Sequence, residues 1–194
     1  MHSSYARNNY ADVFKAIVGA FQPTLCVELG VLEGYSTIAI AQGLKENFER
    51  GGGRGHLAAH DLFASYEFRK SPIEITRANV EAAGVSDFVT LHQQNALSVH
   101  EDYSDNSVWL LHVDLSNDGL TVRNIMSRWD AKMLQGGIIL FEGGTEERDN
   151  VDWMIKYKKE SLKKELETNP IISEKYVFAT YMKFPGLTCL LKKR

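Results

Sequence analysis

The chain has 194 residues, 44% of them hydrophobic, enough for one globular core. Its net charge of −3 and pI of about 6.1 give no global attraction to nucleic acid or to an anionic membrane. No apolar run approaches the roughly 18 residues of a membrane helix, and the polar start MHSSYARNNY lacks the apolar stretch of a signal peptide.

The only two cysteines, Cys26 and Cys189, lie in apolar runs and read as buried thiols; no Cys/His cluster has zinc spacing. These features predict one domain over residues 1–194 in a reduced, cytoplasmic compartment, without nucleic-acid or membrane partners.

The apolar spacing predicts elements in the following order. Residues 10–21 form a helix that Pro23 closes. Leu25–Leu29 is a strand, Ser36–Phe48 a helix, and His56–His60 a short strand ending at Asp61. The stretch Gly51–Gly55 between the last two is a loop. Ile73–Ala83 is a helix stopped by Gly84. Phe88–His92 and Val108–Val113 are strands, with only weak helical signal between them. Leu120–Leu134 is a helix closed by Gly136-Gly137, and Ile138–Phe141 is a strand. Asn150–Leu166 reads as one amphipathic helix, with Val151, Met154, Ile155, Leu162 and Leu166 on its apolar side and a solvated Lys/Glu face. Asn169-Pro170 stops it. Lys175–Lys183 and Leu187–Leu191 are strands joined at Phe184-Pro185-Gly186.

Strands alternating with helices imply a parallel sheet covered on both faces, and the near-continuous apolar strands LCVEL, VWLLHV and IILF agree. Glu28, Asp61, Asp114 and Glu142 stand at strand ends. Ligands of open α/β sheets bind outside the carboxyl ends of the strands, so four acids there suggest a site.

The first loop reads Glu28-Leu29-Gly30-Val31-Leu32-Glu33-Gly34-Tyr35-Ser36. A dinucleotide fingerprint would have G-x-G-x-x-G and a pyrophosphate at the helix start. Leu32 interrupts that pattern, and Glu28 would repel a pyrophosphate but suit an ammonium or sulfonium. An NAD-dependent oxidoreductase is therefore the weaker reading.

This loop resembles the first motif of class I S-adenosylmethionine-dependent methyltransferases, and its Gly-Tyr-Ser ending is most similar to the catechol and caffeoyl-CoA O-methyltransferase group. The resemblance runs from about residue 10 to 194. It implies a Rossmann-like, doubly wound α/β fold, with a mostly parallel seven-stranded sheet ending in an antiparallel hairpin. It also implies S-adenosylmethionine as cofactor and O-methylation of a small-molecule hydroxyl. A cofactor-binding protein of the same fold without catalysis is the alternative.

On the same resemblance, Gly30 and Gly34 let the backbone approach the methionine part, Tyr35 is a further cofactor-binding residue, and Glu28 faces the ammonium of the methionine part. Ser36 donates to its carboxylate, Asp61 accepts both ribose hydroxyls, and Leu62, Asn95 and Ala96 lie at the adenine. Catechol-type enzymes hold a divalent cation with two Asp and one Asn at the ends of strands four and five. The matching positions here are Asp114, Glu142 and Gly143. Gly143 has no side chain, so Asp118 or Glu146 would have to complete a Mg2+ set. With a metal, Asp114 is the expected catalytic residue.

Without a metal a side-chain base is needed. Among His2, His56, His60, His92, His100 and His112, none stands out. Asp114-Leu115-Ser116-Asn117 lacks the [DN]-P-P-[YFW] motif of adenine-amine methylating enzymes. The acceptor is expected to meet the N-terminal segment (Tyr5, Arg7, Tyr10), the 116–119 loop and the 143–150 loop. Tyr5, Tyr10, Trp129 and Trp153 fit either a homodimer patch or the core.

Overall fold

The computed structural model describes residues 3–65 and 71–194; His2 lies outside them. Seven strands and the helices around them make a Rossmann-like, doubly wound α/β fold with a mixed, mostly parallel sheet. Contacts cluster in two compact units, Met1–Val99 and His100–Arg194.

In the first unit, α1 (Tyr10–Phe21) precedes β1 (Leu25–Leu29), α2 (Tyr35–Glu49), β2 (His56–Asp61), α3 (Ile73–Ala82) and β3 (Val89–Gln93). The strands run parallel in the order β3-β2-β1, with Leu25 opposite His56 and Leu57 opposite Val89. Cys26, Val27, Leu29, Leu57 and Ala59 are buried from these strands, and Ile40 and Leu44 from α2. Each large apolar side chain so buried contributes about 1.5–3 kcal/mol.

Helix α1 packs on α2 at Gly43, where a Cβ would stand 2.8 Å from the Val18 side chain. The Asn47 amide donates at 2.9 Å to the Val18 carbonyl, which also accepts the Gln22 N–H, and so ties α2 to the end of α1. Tyr5 joins this core, edge-on to Tyr10 and Phe14. Tyr5 and Tyr10 are thus core residues, as is Trp129 in the second unit; Trp153 is half-buried.

The second unit holds β4 (Val108–Val113), α4 (Gly119–Trp129), β5 (Met133–Glu142), the short helices α5 (Glu146–Asp149), α6 (Asp152–Lys156), α7 (Leu162–Thr168) and α8 (Pro170–Lys175), and the strands β6 (Tyr176–Tyr181) and β7 (Leu187–Lys192). Its strand order is β4-β5-β7-β6, with β7 antiparallel to both β5 and β6. Among the described residues no helix is long and apolar enough to cross a membrane.

Sequence expectations are corrected here at two places. The helix expected over Leu120–Leu134 ends at Trp129, and β5 begins at Met133, not Ile138. Gly136-Gly137 lies inside that strand. The pairing jumps from Val108–Met133 to Leu110–Ile138, and Gly136, at φ +77°, absorbs the irregularity.

The single helix expected over Asn150–Leu166 is broken. The Asp149 carboxylate accepts the N–H groups of Leu162 and Lys163 and the Ser161 hydroxyl, so a new helix starts at Leu162. Lys158 turns to φ +50° before it, and Ile155, expected on the apolar side, is exposed.

Asn169-Pro170 stops one helix and also starts another. Asn169 caps α8 by accepting from the N–H groups of Ile171 and Ile172, and Pro170 occupies the first helical turn.

Candidate active site

In the first unit the loop between β1 and α2 turns on positive backbone angles: Gly30 at φ +89°, Leu32 at +54° and Gly34 at +89°. Glycine takes such angles freely; leucine does not, so Leu32 must be held there. Two consecutive N–H groups, of Val31 and Leu32, donate to one oxygen of Asp61 at 2.7 and 3.0 Å. From α3, the Thr76 hydroxyl donates to the Leu32 carbonyl at 2.6 Å, and the Asn79 amide donates to the Glu33 carbonyl at 2.9 Å. The Gly30 N–H donates to the His60 carbonyl at 2.9 Å.

Asp61 takes a third backbone donor, the Phe63 N–H, at 2.7 Å on its other oxygen. An ionised carboxylate offers about four acceptor sites. Three are occupied here, which leaves one where the expected pairing with both ribose hydroxyls needs two.

Glu28 is fully buried at the end of β1. It accepts from the Ser36 hydroxyl at 2.6 Å and from the Thr37 hydroxyl. Ser36, expected to donate to a cofactor carboxylate, spends its proton on Glu28. A buried carboxylate needs such charge-assisted bonds to offset its desolvation.

The first turn of α2 begins at Gly34 with no side-chain cap. Its leading N–H groups have no intrahelical partners by the geometry of any helix. A Cβ on Gly34 would stand 3.0 Å from the Thr76 methyl. Tyr35, half-buried, accepts from the Ala11 N–H through its hydroxyl at 3.4 Å.

Leu62, half-buried, follows Asp61. Asn95 is exposed beyond β3, with its side chain accepting from the Leu97 N–H at 3.1 Å, and Ala96 is buried. All the residues expected around the cofactor therefore belong to the first unit. Sequence reading missed Thr37, Thr76 and Asn79, whose roles need the fold to bring them to the loop.

In the second unit, Val113 of β4 is opposite Phe141 of β5, so Asp114 and Glu142 follow side by side at the strand ends. Asp114 is half-buried and accepts from the Asn117 amide at 2.9 Å. Glu142 is buried, and one of its oxygens accepts from Nε and Nη2 of Arg148 at 3.1 and 3.0 Å. The guanidinium lies over the Trp153 ring, 5.0 Å from its centre. Two buried polar atoms here have no hydrogen-bond partner among the described residues: Nη1 of Arg148 and Oδ1 of Asn117. A buried donor left unpaired costs about 1–3 kcal/mol.

The expected Mg2+ set does not fit this arrangement. Among the described residues no three His, Cys, Asp or Glu side chains are grouped to hold a metal. Glu142 already carries a guanidinium, whose charge opposes a dication at the same carboxylate. Gly143, at φ +105°, offers no side chain. Asp118 caps α4 through Thr121 and pairs with Lys159 at 2.9 Å, and Glu146 is exposed.

His56, His60, His92 and His112 are engaged in the fold, whereas Nδ1 of His100 is buried without a hydrogen-bond partner among the described residues. His60 stacks on His92 with ring centres 4.7 Å apart and meets the Gln94 amide at 3.1 Å. His56 is bonded to Thr90 at 2.8 Å; burial, then Arg54 and His92, lowers its pKa. His112 is fully buried in β4.

A glycine turn at the end of the first strand, an acid closing the second and an uncapped helix start define a ligand-binding α/β fold. Residues 27–142 match the methyltransferase domain family, and the chain belongs to that family. The match begins inside β1 and ends with β5, which places the glycine loop, Asp61 and both strand-end acids within it.

Solved structures share the fold at low identity. The O-methyltransferase TomG from Streptomyces achromogenes, involved in tomaymycin synthesis and solved with S-adenosylmethionine, is 15% identical, with a TM-score of 0.67 over 95% of this chain and 79% of that one. The methyltransferase PaMTH1 of Podospora anserina, solved with S-adenosylhomocysteine, is 19% identical, with a TM-score of 0.67 over 100% and 80%. A methyltransferase from Geobacter sulfurreducens is 13% identical, with a TM-score of 0.66 over 95% and 78%. No curated protein matches the chain in sequence.

Proposed function

We propose that this methyltransferase uses S-adenosylmethionine to methylate an oxygen of a small molecule. The observation that carries the cofactor reading is the glycine loop pinned to Asp61. Its positive-φ turns bring bare backbone toward a ligand, and the uncapped start of α2 presents N–H groups to a carboxylate. The carboxylate of the methionine part is held at this helix start. Gly34 keeps the turn into this helix start, since its φ of +89° and the Thr76 methyl, 3.0 Å from any Cβ, both require glycine.

Glu28 keeps negative charge under the loop and attracts the cofactor's ammonium and sulfonium, while Ser36 and Thr37 hold it in place. Asp61 keeps one acceptor site for a ribose hydroxyl while still tying the loop. Leu62, Asn95 and Ala96 bound the adenine.

The bound cofactor supplies a sulfonium methyl group. An acceptor oxygen attacks it in line: the C–O bond forms as the C–S bond breaks, and S-adenosylhomocysteine leaves. The acceptor's proton passes to solvent or a base. The absence of a basic stripe in a chain of net charge −3 favours a small acceptor over nucleic acid. The O-methyltransferase likeness of TomG is the support for oxygen as the atom methylated.

The test is calorimetric titration with S-adenosylhomocysteine, then transfer of labelled methyl from S-adenosylmethionine to a panel of phenols and carboxylic acids. Micromolar binding and labelled ester or ether products are expected. No binding overturns the cofactor reading; labelled amines with no oxygen product overturn the choice of oxygen.

A further inference from the structure

We propose that Arg148 is an anion clamp for the methyl acceptor, binding a carboxylate or ionised phenol at the guanidinium edge that Glu142 leaves open. The proposal rests on the methyltransferase reading and deepens it by naming the acceptor's chemical class.

Arginine carries five N–H donors in a rigid fork. Glu142 takes Nε and Nη2 through a single oxygen, which occupies one edge of that fork. Nη1 has no hydrogen-bond partner among the described residues, although Arg148 is only 7% exposed. A purely structural pair would be expected to satisfy both edges, since buried polar groups are nearly always paired. The Trp153 ring and the Glu142 contacts fix the plane of the guanidinium, so the open edge is held ready.

The ligand that suits such an edge is an oxyanion, which forms charge-assisted bonds with two planar N–H donors.

The chemistry of the reaction points the same way. Asp114 is engaged by Asn117 and Glu142 by Arg148, so neither strand-end carboxylate is unencumbered as a base. An acceptor that is already ionised near neutral pH needs no such base. Carboxylic acids and acidic phenols meet that condition; aliphatic alcohols do not.

The probes are benzoate, 4-nitrophenolate and neutral benzamide, titrated by calorimetry at pH 8 with and without S-adenosylhomocysteine. At least one anion is expected to bind ten-fold or more tighter than benzamide, and which anion does so identifies the oxygen source. Arg148→Met is expected to erase that preference, a loss of roughly ten- to hundred-fold.

Glu142→Gln is expected to strengthen anion binding about ten-fold, because the amide oxygen still orients the fork but no longer neutralises it. A metal ligand at this position would respond oppositely. Because Arg148→Met takes the guanidinium from a buried carboxylate, Glu142→Gln/Arg148→Met is titrated beside it, with thermal melts confirming that both are folded.

The clamp is overturned if no probe binds, if benzamide matches the anions, if either folded Arg148 variant keeps the preference, or if EDTA removes binding and Mg2+ restores it. S-adenosylhomocysteine binding without anion preference sinks the clamp alone. Failure of S-adenosylhomocysteine itself to bind sinks the cofactor reading, while the anion series without it still judges the clamp.

Discussion

Asp61, the last residue of β2, accepts the Val31 N–H at 2.7 Å and so ties the loop after the first strand to the end of the second. The same oxygen takes the Leu32 N–H at 3.0 Å and holds a leucine at positive φ. Asp61→Asn replaces one acceptor oxygen with a donor and keeps the size. With the amide nitrogen in one position the Val31 and Leu32 N–H groups face a donor, and in the other the Phe63 N–H does. Affinity for S-adenosylhomocysteine is expected to fall at least ten-fold, with a stability loss of about 1–3 kcal/mol. Calorimetry and thermal melting measure the two; unchanged affinity would remove Asp61 from the cofactor site.

Ser36 separates a supporting role from a contact role. Its hydroxyl donates to the buried Glu28 at 2.6 Å. Ser36→Ala is expected to cost about 1.5–3 kcal/mol of stability, the range for a hydrogen bond to a charged group. A cofactor affinity changed less than three-fold would agree with a hydroxyl spent on Glu28. A ten-fold loss with intact stability would mean that Ser36 touches the cofactor.

Gly34 combines φ +89° with a Thr76 methyl 3.0 Å from any Cβ. Gly34→Ala is expected to destabilise by about 1–3 kcal/mol. In a chain of this size that lowers the melting temperature by roughly 2–12 °C. Gly34→Ala/Thr76→Ser, which removes the methyl, should recover the steric part but not the backbone part.

Glu142 and Arg148 should be strongly coupled. Both are buried, and removing either takes from the other its closest opposite charge. Each single replacement, Glu142→Leu or Arg148→Met, is expected to cost about 3–5 kcal/mol. The double replacement should cost less than their sum, and denaturant unfolding of the four proteins gives the coupling directly. Additive losses would show that the pair is not maintained in solution.

Asp118 sets part of the acid limb of stability. Burial by itself would raise its pKa, but the Lys159 bond and the two Thr121 bonds outweigh it and hold the carboxyl below its ordinary value. A group depressed in the folded state stabilises above its unfolded pKa, about 3.9. That stabilisation is lost as the pH falls through the lower, folded value. Melting temperatures from pH 6 down to pH 2.5 should therefore fall, and Asp118→Asn, which still caps α4, should flatten the decline. An unchanged slope would assign the acid limb elsewhere.

Much of this protein was legible in local pattern. Helix α1 and strands β1 and β4 have the boundaries that apolar spacing predicts, because each is set by residues within one or two turns. The strand-end acids and spaced glycines were likewise readable, since turn chemistry is local and Gly30 and Gly34 do take positive φ.

Where distant groups compete, the local pattern misled. Residues 150–166 carry a helical pattern, yet Asp149 captures the start of α7 and breaks it. Gly136-Gly137 reads as a helix stop, yet it lies inside β5, in the irregular stretch between the Val108–Met133 and Leu110–Ile138 pairs. The metal expectation failed for the same reason. Nothing within the sequence around Glu142 told that Arg148, in a stretch that is acidic on balance, would fold back onto that carboxylate. Sequence alone determined the element types, the glycine loop and the acids at the strand ends, all set by short-range sterics and periodicity. Tertiary structure decided which charge each acid meets, because that depends on backbone turns and burial that no single stretch of sequence contains.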